Sequence, residues 1–582
     1  MNFIKYFPLV YKRLLIIIIL LTFKGTFAFP QKVIPKDYFI PPLDINLIVT
    51  GTFGELRPDH FHSGIDFATQ NKTGANVYCV ADGYVSRIKI SATGYGRAIY
   101  VTHPNGYVSV YAHLGEYNVV IEDYIKRKQY EQKSFEIELF PHASLFKFKK
   151  GDIIGYSGNS GSSSGPHLHF EIRNAATERP FNPMFFGLPV SDNVSPEISA
   201  ICLYPMDGNS SVGADNNKLY IETEKKENIF LLKSKDTITV SDKIAFGVRA
   251  TDKQNLSGNS GIYSLEIFID EQLFFKIAFD SISFDEGRYV NTLIDYPEYA
   301  ASGKRLIQTY ISRGNRLKFY SKNENRGIYY FQDTLLHIVR VDVFDFNKNK
   351  STLSFPIKSL LPATTAKPSA ENKLPLFRYG LKNHFESKNI VLDLPSDALY
   401  DSLFFEYNTK PRTKLTYSAI HQVHNKFTPI HSFATLKIKP DSVPNKNLLS
   451  KLTIAYAAGG SFSFIKSEWE NDFLKSKIRK FGNYTIVADT VAPEIKASRT
   501  LNNKKILPGE LISFTISDDF SGIDNYILTI NEKWVLAEYD AKNNLLLYKV
   551  DPANFNVGTN NLVLTVTDKL NNSSVYKATL IY

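Results

Sequence analysis

The sequence predicts an all-β protein: an antiparallel β-sheet domain near the N-terminus, followed by β-sandwich modules of immunoglobulin-like type. Three observations carry this reading. Tyr and Phe are abundant, at 34 and 42 residues, and with Ile and Thr they suit the pleated, half-buried surface of a sheet. Short alternating segments bounded by Gly, Pro or Asn recur, as at Tyr107–His113 and Thr435–Lys439, which is the pattern of strands joined by turns. Finally, two distant segments echo each other: Val190-Ser191-Asp192-Asn193-Val194-Ser195-Pro196-Glu197-Ile198 and Val487-Ala488-Asp489-Thr490-Val491-Ala492-Pro493-Glu494-Ile495.

A chain of 582 residues is too long for one core. Residues 1–28 read as a secretory signal, with Lys5, Lys12 and Arg13 ahead of a ten-residue apolar run, Leu14 to Phe23. That run is too short to span a bilayer as a helix, and Thr26-Phe27-Ala28 fits a cleavage site. Without the four basic residues of this segment the chain holds 64 basic and 58 acidic side chains, a net charge of +6. So mild an excess, with no clustered basic stripe, argues against a nucleic-acid partner. Cys79 and Cys202 each lie in an apolar pattern and are expected to be buried, unpaired thiols.

The first domain is expected over 29–190. Strands are expected at Leu47–Thr50, Val77–Val80, Gly83–Ile90, Ala98–His103 and Tyr107–His113. Seven of the twelve histidines (His60, His62, His103, His113, His142, His167 and His169) fall within this domain. The loop Gly158-Asn159-Ser160-Gly161-Ser162-Ser163-Ser164-Gly165-Pro166 leads into a strand that starts His167-Leu168-His169. Side chains two apart leave a strand on one face, so His167 and His169 share a pocket.

His62 and Asp66 form an H-x-x-x-D unit, and Gly64 between them permits a sharp backbone path. With His169 from the strand pair they make a set of two nitrogens and one oxygen. Two His, one carboxylate and an open fourth position is the pattern of catalytic zinc, which brings the pKa of a bound water to about 7. His113 and His167 remain for proton transfer and oxyanion stabilisation. No H-E-x-x-H occurs, so His must carry the proton traffic.

These residues, with Gly94-Tyr95-Gly96, Tyr111-Ala112-His113-Leu114, Lys150-Gly151-Asp152, Ile154-Gly155 and Gly165-Pro166-His167-Leu168-His169-Phe170-Glu171, resemble the LytM/lysostaphin-type zinc endopeptidases of the bacterial cell wall. The resemblance spans about residues 50–185. It implies one Zn²⁺ per chain on His62, Asp66 and His169, with His113 and His167 catalytic. It also implies a groove that admits an extended peptide, with the Gly158–Gly165 loop as one wall. Compact members of the family cross from Leu114 to Lys149 in far fewer residues. The charged, partly helical insertion at 115–148 is therefore read as either a flank of the groove or a surface excursion.

Other candidates have plainer readings. His60 shares spacing with His62 but not its pattern. His103 precedes a Pro104-Asn105-Gly106 turn, and His142 is expected at the surface. His421 and His424 have metal-like spacing but no acidic or thiol neighbours in sequence, and read as structural. Arg57 is either a binder of a substrate carboxylate or an ordinary surface residue.

Beyond the first domain, the echo places immunoglobulin-like modules at 191–360 and 487–582, the first enlarged by an insertion. Each carries strand-end Asp residues and a Ser-Gly-Ile turn (Ser260–Ile262 and Ser521–Ile523). A Pro-rich linker is expected at 361–375 and a further β-rich domain at 376–486. The strand-end Asp and Asn residues are read as turn chemistry that needs no ion. None of these modules shows a catalytic set, and their surfaces are candidates for protein partners. The expectation is an exported hydrolase of peptidoglycan peptide crosslinks, in the periplasm or cell envelope. Its rivals are a non-catalytic LytM-domain protein that binds the wall or regulates other wall hydrolases, and an adhesion-like array with a relict enzyme.

Overall fold

The structure, a computed structural model, describes residues 35–213, 216–227, 229–234, 237–254, 258–361, 373–441 and 445–582. The signal-like segment at 1–28 and most of the expected linker at 361–375 lie outside these residues. Strand is the dominant regular structure of the described chain, paired antiparallel with few exceptions. None of its helices is long and apolar enough to cross a membrane.

The N-terminal sheet contains β1 (Val49–Gly51), β2 (Ile65–Ala68), β3 (Asn76–Tyr78), β4 (Gly83–Ile90), β5 (Arg97–Thr102), β6 (Tyr107–Tyr117), β7 (Ile137–Leu139), β8 (Lys147–Phe148), β9 (Ile153–Ser157) and β10 (His167–Asn174). Its main path runs β1-β2-β10-β6-β5-β4-β7, with β9 joining β3 to β6. One face is apolar: Phe67, Tyr111, Leu168, Phe170 and Ile172 are fully buried there. The alternate residues of β10 (His167, His169, Glu171, Arg173) occupy the other face. The 115–148 insertion holds α1 (Val119–Gln132), which Asn118 caps by accepting from the Val120 N–H, and the strands β7 and β8, which pair with β4.

The next sheet, over 197–359, shares its core with the first. A single apolar cluster runs from Phe39 to Ile357, and Phe61 packs on Phe279 and Phe319 at ring separations of 6.1 and 5.7 Å. Thr52 Oγ1 donates to the Gly261 carbonyl at 2.9 Å, and Arg179 pairs with buried Glu286 at 3.1 Å. The two units are thus one packed body, although the sequence echo begins a new module at 191.

Residues 383–488 form two five-stranded sheets around a separate core that includes Phe405, Leu436, Tyr484 and Ile486. Residues 494–581 form a four- and a five-stranded sheet around a third core. This last unit folds back on the first: Arg97 is paired with Glu538 at 2.9 Å, Lys126 with Asp551 at 2.9 Å, and Tyr130 packs edge-on to Trp534. Cys79 and Cys202 are both free and buried.

Candidate active site

Strand register brings the first pair of residues together. His169 lies directly opposite Asp66 across the β2–β10 ladder, so their side chains leave the sheet on one face. His62 arrives from the preceding loop. Gly64 makes the bend that leads into β2 without taking a left-handed conformation. It is needed for close approach: a Cβ there would lie 2.4 Å from the Phe170 carbonyl and 2.7 Å from Glu171 Cγ.

The three atoms converge tightly. His62 Nε2 is 3.0 Å from His169 Nδ1 and 3.1 Å from Asp66 Oδ1, and His169 Nδ1 is 2.9 Å from the same oxygen. The outer ring nitrogens are already engaged. His62 Nδ1 faces the Thr52 carbonyl at 2.8 Å, and His169 Nε2 faces Glu171 Oε1 at 2.8 Å. Both of those oxygens only accept, so the outer nitrogens carry N–H and the inner ones, His62 Nε2 and His169 Nδ1, are the pair a metal would take. Burial alone would raise the Asp66 carboxyl, but the imidazoles of His62, His167 and His169 outweigh it and hold it well below the usual range. Burial likewise opposes charge on His169, yet Asp66 and Glu171 push it up to about 9. The pocket is built to hold positive charge between these atoms. Two nitrogens and one carboxylate oxygen suit zinc.

His113 and His167 stand beside this cluster, with ring centres 4.7 Å apart. A β-bulge places His113: Arg97 pairs with Leu114 and Ile99 with Tyr111, so two residues of β6 oppose one of β5. His113 takes φ +58°, uncommon for a residue other than Gly. Strict alternation would send it to the apolar face with Tyr111. The bulge turns it to the face of Ala112, which pairs with His169. Its Nδ1 donates to the Ser160 carbonyl at 2.9 Å. Burial, then the neighbouring His169 and His167, push it down to about 3, so it is neutral near pH 7. His167 donates from Nδ1 to the Gly165 carbonyl at 2.9 Å; its Nε2 is buried, without a hydrogen-bond partner, and 3.5 Å from Asp66 Oδ1.

Glu171, Tyr95 and Arg173 form a supporting layer that the sequence reading did not assign. The fully buried Glu171 carboxylate accepts from Tyr95 OH at 2.5 Å, Ser63 Oγ at 2.7 Å and Arg173 Nε at 2.5 Å, besides His169. The alternation His169, Glu171, Arg173 on one strand was the available signal. Burial opposes the Glu171 charge, but Arg173 and His169 outweigh it and hold its pKa far down.

The cluster opens into a cleft of about 890 Å³. Ser162, Ser163 and Ser164 of the Gly/Ser loop line it, and Phe284 of the second sheet unit forms part of its wall. No residue of 115–148 does; α1 packs against the C-terminal unit instead. Arg57 lines the cleft while pairing with Asp66 Oδ2 at 3.4 Å and Glu55 at 3.5 Å. His60 pairs with exposed Asp59, His103 is buried between the Asp82 carbonyl and Ser109 Oγ, and His142 is on the surface against Ser144. His421 and His424 sit apart in the 383–488 unit, bonded to Tyr407 OH and Thr428 Oγ1.

Comparison with known proteins places the domain. Peptidase family M23 matches residues 60–130 and 146–183, and the Zu5-like domain family matches residues 375–489. The DD-carboxypeptidase/endopeptidase Mpg of Neisseria meningitidis serogroup B is 32% identical over 137 residues, 24% of this chain and 25% of that protein. The peptidoglycan DD-endopeptidase ShyA of Vibrio cholerae is 31% identical over 133 residues, 23% and 24% of the two chains. Among solved structures, the catalytic domain of lysostaphin from Staphylococcus simulans shares 25% identity, covering 23% of this chain and 87% of that one, with a TM-score of 0.18. The protein carries a peptidase family M23 domain, followed by β-rich units of which one is Zu5-like. It spans about a quarter of the length of the curated relatives it matches.

Proposed function

We propose that this protein is an exported, zinc-dependent endopeptidase that hydrolyses peptide crosslinks of bacterial peptidoglycan in the periplasm or cell envelope. The observation that carries the proposal is the convergence of His62 Nε2, His169 Nδ1 and Asp66 Oδ1 to within 3.1 Å of one another, at the floor of an open cleft. These three residues would hold the metal. When bound, zinc supplies a Lewis acid that polarises the scissile carbonyl and makes an attacking water acidic near neutral pH.

The remaining work falls to side chains of this chain. His113 and His167 each anchor Nδ1–H on a backbone carbonyl and so present Nε2 to the cleft. There either can accept a proton of the attacking water at Nε2, and the imidazolium so formed can donate that proton to the developing oxyanion or the leaving amine. Glu171 fixes the tautomer of His169, and Arg173 and Tyr95 fix Glu171. The Gly/Ser loop and Phe284 bound an extended peptide. The M23 match to proteins named for DD-endopeptidase activity supports a D,D-crosslink as the substrate bond.

Digestion of crosslinked muropeptides, followed by mass spectrometry, tests this reading. Wild-type protein should release monomers, lose activity to a chelator and regain it with Zn²⁺. A His169→Ala variant that digests as fast as wild type would refute the zinc mechanism. An inactive wild type carrying one zinc would favour the non-catalytic, regulatory alternative.

A further inference from the structure

Outside the cleft, three carboxylates meet at the junction that follows the first domain. Asp192 lies in the connecting segment, Asp252 near the end of the strand Ile238–Lys253, and Asp345 just past the strand Leu336–Phe344. All three are buried, with exposures of 4, 1 and 3%. One oxygen from each falls within 4.8 Å of the others. We propose that this junction, and its counterpart at Asp489, Asp518 and Asp568, each bind a Ca²⁺ ion.

The first argument is the state of Asp252. Neither of its carboxylate oxygens has a partner at full hydrogen-bonding geometry, and the pull of the Lys253 N–H and the Gln254 side chain is outweighed by its burial and by the neighbouring Asp345 and Asp192. Oδ2 of Asp192 is buried and unpartnered as well. A carboxylate this deep is ordinarily paired or coordinates a metal. Asp252 and Asp192 thus keep open oxygens beside Asp345, whose own oxygens accept from Asn349, and with no Lys or Arg paired to the three among the described residues a cation would supply the missing partner.

The second argument is duplication. The counterpart triad also brings its oxygens within 4.8 Å of one another, and Asp518 Oδ1 is again buried without a partner. The Asn bridges match in the two, although Asp518 Oδ2 accepts from Phe520, Ser521 and Gly522 and Asp489 Oδ2 from the Ser521 N–H, donors that Asp252 and Asp192 Oδ2 lack. Asn349 Nδ2 bridges Asp345 Oδ2 at 2.6 Å and the Asp192 carbonyl at 2.9 Å. Asn572 Nδ2 bridges Asp568 Oδ2 at 2.7 Å and the Asp489 carbonyl at 3.1 Å. Val194 N–H donates to Asp192 Oδ1, and Val491 N–H to Asp489 Oδ1. These Asn residues hold the carboxylates in place, and turn chemistry accounts for those bonds. It leaves the orphaned oxygens unexplained.

The chemistry selects the ion. Ca²⁺ takes oxygen ligands at about 2.3–2.6 Å, so two oxygens on one ion lie at most about 5 Å apart, which the triads satisfy. An all-oxygen set disfavours zinc, which prefers nitrogen and sulfur. Both triads sit where one folded unit joins the preceding chain: Asp192 after the N-terminal domain and Asp489 immediately after the strand Gly482–Ala488. Bound cations there would lock the connecting segment to the sheet ends.

The test is calcium stoichiometry on the full chain, with calcium counted separately from zinc after equilibrium dialysis. Wild type is expected to hold two Ca²⁺, Asp252→Asn and Asp518→Asn one each, and the double variant none. Calcium should raise the thermal midpoint of wild type, and by less in either single variant. Metal-free Asp252→Asn should melt no lower than metal-free wild type, because the substitution removes a buried unpaired charge. No calcium uptake by wild type at millimolar calcium, or two ions retained by Asp252→Asn, would overturn the proposal. If a variant does not fold, the wild-type stoichiometry and midpoint shift decide.

Discussion

Replacing Glu171 by Gln changes one atom in the layer behind the proposed zinc ligands and should weaken the site without touching a ligand. The buried carboxylate accepts from His169 Nε2, Arg173 Nε, Tyr95 OH and Ser63 Oγ. A Gln oxygen can serve some of these donors, but its NH₂ group must then face at least one of them. The side chain also loses the charge that opposes Arg173, whose remaining partner, Glu178, is about half exposed. Breaking a buried pair in this way costs on the order of 3 kcal/mol of stability. Loss of the group that orients a metal-bound His lowers metal affinity by about 10- to 100-fold, equivalent to about 1.4–2.7 kcal/mol. Zinc competition with a chromophoric chelator measures the affinity, and muropeptide digestion across a zinc series measures the activity. The expected result is activity that falls at limiting zinc and recovers largely at excess. Affinity within twofold of wild type would refute the reasoning that Glu171 positions His169.

Two further outcomes follow from the geometry. Gly64→Ala puts a Cβ 2.4 Å from a backbone carbonyl and 2.7 Å from Glu171; it should cost about 1–3 kcal/mol in a urea titration and lower zinc affinity as well, whereas unchanged stability would show that the loop yields. His421 is buried and its pKa is pushed down to about 4 from 6.5 by burial. Below pH 6.5 the unfolded chain takes up a proton there that the folded chain refuses, so stability should fall between pH 6.5 and 4. The loss is about 3 kcal/mol at most, and His421→Phe should remove that part of the pH slope in unfolding titrations of the full chain.

The N-terminal sheet and the convergence of its histidines were legible because they rest on local pattern. Period-two spacing put His167 and His169 on one face, and β2–β10 register then set Asp66 opposite His169. The same rule misdirects at His113. Counting along β6 sends that side chain into the core with Tyr111, and only the extra residue in the bulge, with its positive φ, returns it to the cleft. A bulge is a mismatch between two strands and leaves no mark on either one alone. Glu171 was readable by alternation yet was passed over, because a buried acid gains meaning only from donors such as Tyr95, 76 residues away.

Contacts between units were the least legible, and they bear on the chemistry. The insertion at 115–148 reads as charged surface, and its helix does carry charged residues on its exposed side. Its partners are Asp551 and Trp534, more than 400 positions away. Arg97, almost wholly buried, is held between Glu122 of that helix and Glu538 of the C-terminal unit, while its backbone N–H donates to Ser160 Oγ in the Gly/Ser loop. Lys542 of the same distant unit donates to the carbonyls of Asn159 and Ser163 in that loop. The Ser160 carbonyl, in turn, is what fixes Nδ1 of His113. The C-terminal unit thus braces the loop that positions a proposed proton carrier, and it does so from outside the cleft. On this geometry its effect on substrate would pass through the loop's placement and not through occlusion of the groove.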